Sequence, residues 1–274
     1  MLHSWDVRIG HPSYREQRGP LAIAHRGGAG LAAENTLEAF SRSYALGLRC
    51  LETDVRVTSD GQLVAFHDAG LRRVTGMRGR VSGRALAELV QLPVLGGQPV
   101  LPLAALLAAH PDCRFIIDVK DRASIPALAQ LLVETRAARR VCAAGAWDSW
   151  LLELRERVGP ELTTALSWRA LTRLVTSSRA ARRLAGSDPG AGCYAHVPLR
   201  FGRFPVFADD LVARAHDAGI KVIVWTVNEP ATMHRLLDCG VDGVITDRPD
   251  VLREVLISRG QWHTPDTHAA PVRT

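Results

Sequence analysis

The alternation of short apolar segments with amphipathic segments is the feature of this chain that most constrains its fold. Residues 21–27 and 50–57 are rich in branched apolar side chains, and after the first of them residues 35–47 show helical spacing. Nearly continuous apolar strands that alternate with helices are typical of a parallel sheet covered on both faces. The remaining strand candidates are residues 63–68, 113–120, 141–147, 162–168, 193–199, 221–228 and 242–247.

The number of these units favours a closed barrel. Residues 63–68 follow the second strand across a Ser59-Asp60-Gly61 turn, so we interpret them as an excursion of the second unit. Eight strand–helix units then fill residues 21–258, close to the roughly 250 residues of a (β/α)₈ TIM barrel. The predicted organisation is a flexible segment at 1–18, a barrel at 19–259 with a small insertion after the second strand at about 69–112, and a flexible tail at 260–274.

The charge pattern bears on possible partners. The net charge is +6, and arginine supplies nearly all of the positive charge. The densest arginine stretch, residues 169–183, places Leu171, Leu174 and Val175 on one helical face, which indicates a solvated helix or, alternatively, a weak contact with an anionic membrane surface. No aromatic residues interleave with these arginines, so nucleic acid is not an expected partner.

Three further patterns concern the environment of the chain. The uncharged stretch 89–109 is long enough to cross a bilayer, but its three prolines and two glycines predict a turn-rich insertion that runs into a short helix. Five cysteines without CxxC spacing are typical of small buried side chains in a reducing compartment and not of a zinc site. The N-terminal residues lack the apolar core of a secretory signal, so we expect a cytoplasmic location.

Polar residues gather at the predicted strand ends. In a parallel barrel the active site lies at the C-terminal ends of the strands. His25 and Arg26 end the first strand, and Glu52 and Asp54 lie late in the second. The other strand-end polar residues are His67, Asp68, Asp118, Lys120, Trp225, Asn228 and Asp247.

The acids form a candidate cation site. Glu52 and Asp54 are two residues apart on a strand, so their carboxylates point to the same side. Inside a barrel they would repel each other unless a cation lay between them, although a surface-facing acidic pair is the alternative. Asp118 adds an oxygen ligand from a neighbouring strand, and Lys120, on the same side, is suited to a salt bridge or to a phosphate oxygen.

Two of the ten histidines stand out, because His25 and His67 each end an apolar strand at the rim that carries the acids. Histidines beside a metal suit displacement at phosphorus, one activating the nucleophile and one protonating the leaving alkoxide. Glu34 precedes a predicted helix, so it has either a capping role or a role in the site.

Several blocks, taken in order, resemble the glycerophosphodiester phosphodiesterase family. HRGGAGLAAENTLEAF at 25–40 is similar to its opening signature, and ETDVRVTSDGQLVAFHD at 52–68 is similar to its Glu-x-Asp and His-Asp block. LRRVTG at 71–76, VWTVN at 224–228 and GVITDRPD at 243–250 resemble its later motifs. The resemblance covers residues 21–258.

The resemblance implies a role for each strand-end residue. One divalent cation, Mg²⁺ or Ca²⁺, would be held by Glu52, Asp54 and Asp118. The acid–base pair would be His25 and His67. Phosphate would be bound by Arg26 and Lys120, and the site would also be lined by Glu34 and Trp225. One position departs from the family, which usually has Glu-x-Lys where this chain has Asp118-Val119-Lys120. The shorter side chain loses roughly 1.5 Å of reach, which is large beside a metal–oxygen bond of about 2.0–2.6 Å.

The implied activity is hydrolysis of a small glycerophosphodiester to sn-glycerol 3-phosphate and an alcohol, with water or a substrate hydroxyl as nucleophile. Two alternatives stay open. One is lysophospholipase D-type activity with an acyl groove from the Leu- and Val-rich insertion, and the other is a non-catalytic barrel that binds phosphodiesters or lipid. Since residues 69–112 contain no Trp, Tyr or Phe, we expect no aromatic cage there and no selectivity for choline. The sequence leaves the oligomeric state open.

Overall fold

A computed structural model describes residues 13–15, 19–176, 192–201, 203–208 and 210–263. The strands are β1 Leu21–Ala24, β2 Cys50–Val57, β3 Leu63–Ala65, β4 Leu101–Pro102, β5 Arg114–Val119, β6 Val141–Gly145, β7 Thr163–Thr164, β8 Tyr194–Pro198, β9 Arg200–Phe201, β10 Phe204–Pro205, β11 Lys221–Trp225 and β12 Gly243–Thr246. The helices are α1 Leu37–Ala45, α2 Arg72–Thr75, α3 Leu86–Leu89, α4 Leu103–Ala109, α5 Ser124–Glu134, α6 Asp148–Val158, α7 Trp168–Thr176, α8 Leu211–His216, α9 Pro230–Asp238 and α10 Pro249–Ser258. Short 3₁₀ turns lie at His25–Gly27, Val81–Gly83 and Ala138–Arg140.

Eight parallel strands of the described chain form a nearly closed barrel. Their order is β7-β6-β5-β2-β1-β12-β11-β8. The two end strands approach each other through a parallel bridge between Ala165 and Tyr194, where the Leu166 N–H donates to the Tyr194 carbonyl at 2.7 Å. The predicted (β/α)₈ architecture is therefore confirmed. Strand β3 pairs antiparallel with β2, so the predicted excursion of the second unit is also present.

The insertion after the second strand has a small core of its own. Val64, Phe66, Leu71, Val74, Val81, Leu89, Val94 and Val100 form a buried cluster. Helix α4 instead packs Leu103, Leu106 and Leu107 into the main core, so the last part of the range 69–112 is the barrel's own second helix. The turn-rich segment that runs into this short helix matches the prediction, and no helix in the described ranges is long and apolar enough to cross a membrane.

The cysteines are largely withdrawn from solvent. Cys50, Cys113 and Cys142 are buried as predicted, Cys193 and Cys239 are partly buried, and all five are free thiols.

The predicted arginine-rich helix is described only as far as Thr176, with Leu171 and Leu174 buried. Residues 177–183 of that helix and residues 1–12, 16–18 and 264–274 of the predicted flexible ends lie outside the described residues.

Tyr14 fills the N-terminal end of the barrel, although it lies in the segment predicted to be flexible. Its side chain is fully buried in the interior cluster that includes Cys50 and Cys142, near the starts of β2 and β6. Its ring meets that of Tyr194 edge to face, with centroids 5.1 Å apart. The N–H of Tyr14 donates to the carbonyl of Arg139 at 2.7 Å. The residue therefore closes the end of the barrel opposite the strand C-termini.

We expect Tyr14→Ala to lower the free energy of unfolding by about 3–5 kcal/mol, because it leaves an aromatic-sized cavity that the surrounding strands cannot fill. Tyr14→Phe is the matched control, since it keeps the ring and its contact with Tyr194, and it should cost less than about 1.5 kcal/mol. Urea denaturation measures both changes. Equal losses in the two variants would show that the ring does not support the barrel.

Candidate active site

A tight turn positions the first pair of predicted residues. Strand β1 ends at Ala24, three residues earlier than the sequence predicts, and His25–Gly27 form a 3₁₀ turn. Arg26 has a left-handed backbone (φ 50°, ψ 36°), and its N–H donates to Oε2 of Glu52 at 2.8 Å. Gly27 has φ 83°, and a Cβ there would lie 3.0 Å from Phe40. A side chain at position 27 would therefore crowd Phe40 and strain the backbone, which explains the glycine that follows Arg26.

The predicted site residues meet at one cavity of about 200 Å³ at the C-terminal ends of the strands. Of the nine, eight line this cavity: His25, Arg26, Glu52, Asp54, His67, Asp118, Lys120 and Trp225. Glu34 does not line it, and lies behind Arg26, whose Nη1 donates to Oε1 of Glu34 at 2.8 Å. Thr36, not Glu34, caps helix α1 through its hydroxyl. The rest of the wall is Ile116, Ala144, Gly145, Leu166, Trp168, Leu171, His196 and Ile245.

The acids occupy one side of the cavity. Asp54 on β2 and Asp118 on β5 are register partners, and Nζ of Lys120 lies 2.9 Å from Oδ1 of Asp54 and 2.7 Å from Oδ2 of Asp118. The other oxygen of Asp54 lies 3.2 Å from the Asn35 amide nitrogen and 3.4 Å from Nε of Arg26. Asp54 is 2% exposed, so this dense set of partners compensates for the loss of water around its charge.

The electrostatics separate the two carboxyls of the Glu-x-Asp motif. Burial, together with the charge of Asp54, raises the pKa of Glu52 to about 7. Burial also acts to raise the pKa of Asp54, but Lys120 and Arg26 outweigh it and hold that pKa below its ordinary value. The pKa of Lys120 is raised because Asp118 and Asp54 outweigh the effect of burial. Glu52 is thus the acid whose negative charge is least compensated.

The three acids of the cavity have the donor chemistry that hard divalent cations prefer. Glu52 accepts one hydrogen bond, at Oε2, and its Oε1 accepts none from the described residues. Three carboxylates on neighbouring strands provide the oxygen ligands that Mg²⁺ and Ca²⁺ prefer. In the described part of the chain no three histidine, cysteine, aspartate or glutamate side chains are arranged to enclose an ion, and the Lys120 ammonium bridges Asp54 and Asp118 instead.

Each histidine of the cavity is paired with an aspartate. Nδ1 of His25 lies 2.6 Å from Oδ1 of Asp247, whose Oδ2 accepts from the Asn228 amide at 2.8 Å. Nδ1 of His67 lies 2.7 Å from Oδ1 of Asp68. Pairing at Nδ1 fixes the ring and leaves Nε2 for a reacting group.

The two histidines have opposite pKa shifts. Burial acts to lower the pKa of His25, but its hydrogen bond to Asp247 and the charge of Glu52 outweigh burial and raise it. For His67 burial dominates, so its pKa is lowered despite the charge of Asp54 and the hydrogen bond to Asp68. Two titratable groups with environments that separate their pKa values are suited to different proton-transfer roles.

Arg73 on helix α2 contacts the carboxylate partners of two site residues, Arg26 and His67. Its guanidinium donates to both carboxylate oxygens of Glu34 at 2.7 Å and to Oδ2 of Asp68 at 2.7 Å. Since Glu34 holds Arg26 and Asp68 holds His67, we call this connection the Arg73 bridge. The Glu34 pKa is lowered because the two arginines outweigh burial.

Sequence reasoning missed several of these partners. Asp68, Asn228 and Asp247 were visible as strand-end polar residues, but the aspartates' pairing with the histidines was not. His196 gave no strand-end signal, since it lies in the middle of an apolar strand.

The fold and the site together define a (β/α)₈-barrel enzyme with a polar cavity at the C-terminal ends of its strands. The chain belongs to the glycerophosphoryl diester phosphodiesterase family, which matches residues 25–251.

Individual relatives agree with this assignment. The chain is 36% identical over 251 residues to "Probable glycerophosphodiester phosphodiesterase 2" of Mycobacterium tuberculosis, a match that covers 89% of this chain and 93% of that protein. It is 27% identical to a lysophospholipase D of Homo sapiens, with 85% of each chain covered. The structure is similar to a phosphodiesterase of Oleispira antarctica solved in complex with the product sn-glycerol-3-phosphate, with 25% identity, a TM-score of 0.73, and 87% of this chain and 97% of that chain covered.

Proposed function

We propose that this enzyme hydrolyses glycerophosphodiesters to sn-glycerol 3-phosphate and an alcohol. The observation that carries the proposal is the cavity in which two histidines, each paired with an aspartate, face three carboxylates and two cationic side chains. Such a site can hold a phosphodiester anion and move protons on both sides of it. The product complex of the related phosphodiesterase supports the choice of the glycerol 3-phosphate product.

Glu52, Asp54 and Asp118 would hold one divalent cation, Mg²⁺ or Ca²⁺. When bound, that cation supplies positive charge that neutralises the phosphate and its transition state. Asp118 has a shorter side chain than the glutamate usual in the family, and Lys120 keeps its carboxylate beside Asp54.

The remaining residues bind the anion and transfer protons. Arg26 and Lys120 bind phosphate oxygens, and Glu34 orients Arg26. Of His25 and His67, one accepts the proton of the nucleophile, which is water or a substrate hydroxyl, and the other donates a proton to the leaving alkoxide. The aspartate at each Nδ1 stabilises the imidazolium that forms.

Lysophospholipase D-type activity is a second candidate, favoured by an apolar side of the cavity. Leu166, Trp168 and Leu171 line it, and Trp168 is 40% exposed at the rim. This apolar surface comes from the β7–α7 connection and α7 itself, whereas the sequence predicts an acyl groove from the insertion. A human relative is named a lysophospholipase D. No observation favours the non-catalytic barrel.

A substrate panel tests the function. We expect turnover of glycerophosphocholine, glycerophosphoglycerol and glycerophosphoinositol with kcat/KM values within about 100-fold of one another. The ring centroids of Trp168 and Trp225 lie 6.2 Å apart with an interplanar angle of 65°, so a choline group would meet at most two aromatic rings here. Each such contact contributes about 0.5–1 kcal/mol at a partly exposed site, so choline should gain less than about 30-fold.

A lysophospholipid belongs in the same panel. A kcat/KM for lysophosphatidylcholine above that for glycerophosphocholine would select the second candidate. Turnover of none of the four substrates, under conditions where the protein is folded and supplied with Mg²⁺ or Ca²⁺, would contradict both.

A further inference from the structure

His196 is a polar side chain of the cavity that the proposed chemistry does not use. It lies in the middle of β8, where its register partner on β11 is Ile223, a member of the interior cluster. Its ring lines the cavity, yet its Nε2 atom is buried and has no hydrogen-bond partner in the described chain. A buried polar atom without a partner is costly, so such atoms in a binding cavity point to a ligand group.

Trp225 on the adjacent strand β11 has the same property. Its indole Nε1 is buried and finds no partner among the described residues, and its register partner on β8 is Pro198, two positions beyond His196. Two neighbouring strands thus each present one unsatisfied polar group to the same cavity. We call this pair the His196–Trp225 wall.

This wall differs chemically from the acidic side. Burial alone lowers the pKa of His196 to about 4, with no charged group contributing, so the imidazole is neutral near pH 7. An indole N–H donates, and a neutral imidazole donates at one nitrogen and accepts at the other. Uncharged groups of this kind match hydroxyls, whereas the phosphate charge is matched by Arg26 and Lys120 across the cavity.

The position of the wall indicates which hydroxyls are bound. His196 lies level with Ile223 inside the barrel, while Trp168 is partly exposed at the rim. The glycerol portion is the same in every glycerophosphodiester, whereas the alcohol portion varies in size and needs the open side. The constant part of the substrate therefore suits the inner wall.

We propose that His196, together with the indole N–H of Trp225, binds the glycerol hydroxyls of the substrate. The inference rests on the proposed function and adds the residues that recognise the glycerol portion. It gives the enzyme a means of distinguishing glycerophosphodiesters from simple alkyl phosphodiesters.

Calorimetric binding of sn-glycerol 3-phosphate and of n-propyl phosphate, which lacks both hydroxyls, tests the inference. The wild type should bind sn-glycerol 3-phosphate about 10- to 100-fold more tightly, and His196→Leu should remove most of that preference while n-propyl phosphate binding stays within about threefold. His196→Gln keeps a donor and an acceptor, so it should retain part of the preference. His234→Leu, a histidine outside the cavity, is the matched control and should bind both ligands as the wild type does.

Stability and turnover separate the possible outcomes. His196→Leu removes an unsatisfied polar atom, so its thermal midpoint should equal or exceed that of the wild type. If the wild type does not discriminate between the two ligands, or if His196→Leu weakens both equally, the inference is overturned. Absence of glycerophosphodiester turnover by the wild type would instead overturn the proposed function.

Discussion

Removal of divalent cations should lower glycerophosphocholine turnover by about 10³-fold or more, and added Mg²⁺ or Ca²⁺ should restore it. The reason is the acidic side of the cavity, where Glu52, with a pKa raised to about 7 by burial and by Asp54, has the least compensated charge. A cation held there would supply several kcal/mol of charge stabilisation at the phosphate. Activity is measured after dialysis against EDTA and again after addition of each ion.

Variants of Asp118, the acid on β5, refine this test. Asp118→Ala should abolish turnover, whereas Asp118→Glu should keep activity or change the preferred ion, because it restores the carboxylate length usual in the family. Asp112→Ala is the control, since Asp112 is an exposed acid paired with Arg49 away from the cavity. Cation should raise the thermal midpoint of the wild type but not of Asp118→Ala. Full turnover in EDTA after exhaustive dialysis would rule out the cation site.

His25→Ala and His67→Ala should each lower kcat by about 10²–10⁴-fold, the usual effect of losing a general acid or base. Each ring is held at Nδ1 by an aspartate, at 2.6 Å for His25 and 2.7 Å for His67, so both are oriented for proton transfer at Nε2. His216→Ala is the matched control, because His216 pairs with Asp242 outside the cavity at 2.7 Å. Circular dichroism should show that all three variants remain folded.

A nitrophenyl leaving group assigns the roles. Nitrophenolate needs no protonation, so a substrate that carries it should rescue only the variant that has lost the general acid. The opposite pKa shifts of His25 and His67 are the reason to expect a division of labour. Equal rescue of both variants, or of neither, would show that the two histidines do not divide the work in this way.

Sequence reasoning predicted the features that have a short-range signal. Side chains two residues apart on a strand point to the same side, which places Glu52 with Asp54 and Asp118 with Lys120. The apolar strands are also separated by helices at regular intervals. The parallel pairing of β2 with β5 then sets Asp54 beside Asp118. For these reasons eight of the nine predicted site residues line one cavity, although their roles stay predictions.

The features that sequence reasoning missed depend on contacts between distant segments. Tyr14 has no periodic neighbours, and its burial comes from the shape of the barrel interior. His196 resembles an ordinary residue of an apolar strand until the curvature of the sheet brings it to the cavity. Glu34 was compatible with a helix cap, and only the position of Arg73, 39 residues away, shows where its carboxylate is held.

The Arg73 bridge connects the insertion to the candidate active site. Arg73 lies on α2 within the insertion, and no residue of the insertion lines the cavity, yet its guanidinium holds the carboxylates that pair with Arg26 and His67. We expect a chimera that received an insertion without this arginine to lose the contacts that hold Glu34 and Asp68. A loop graft should therefore carry an arginine at position 73, so that both carboxylates stay in place.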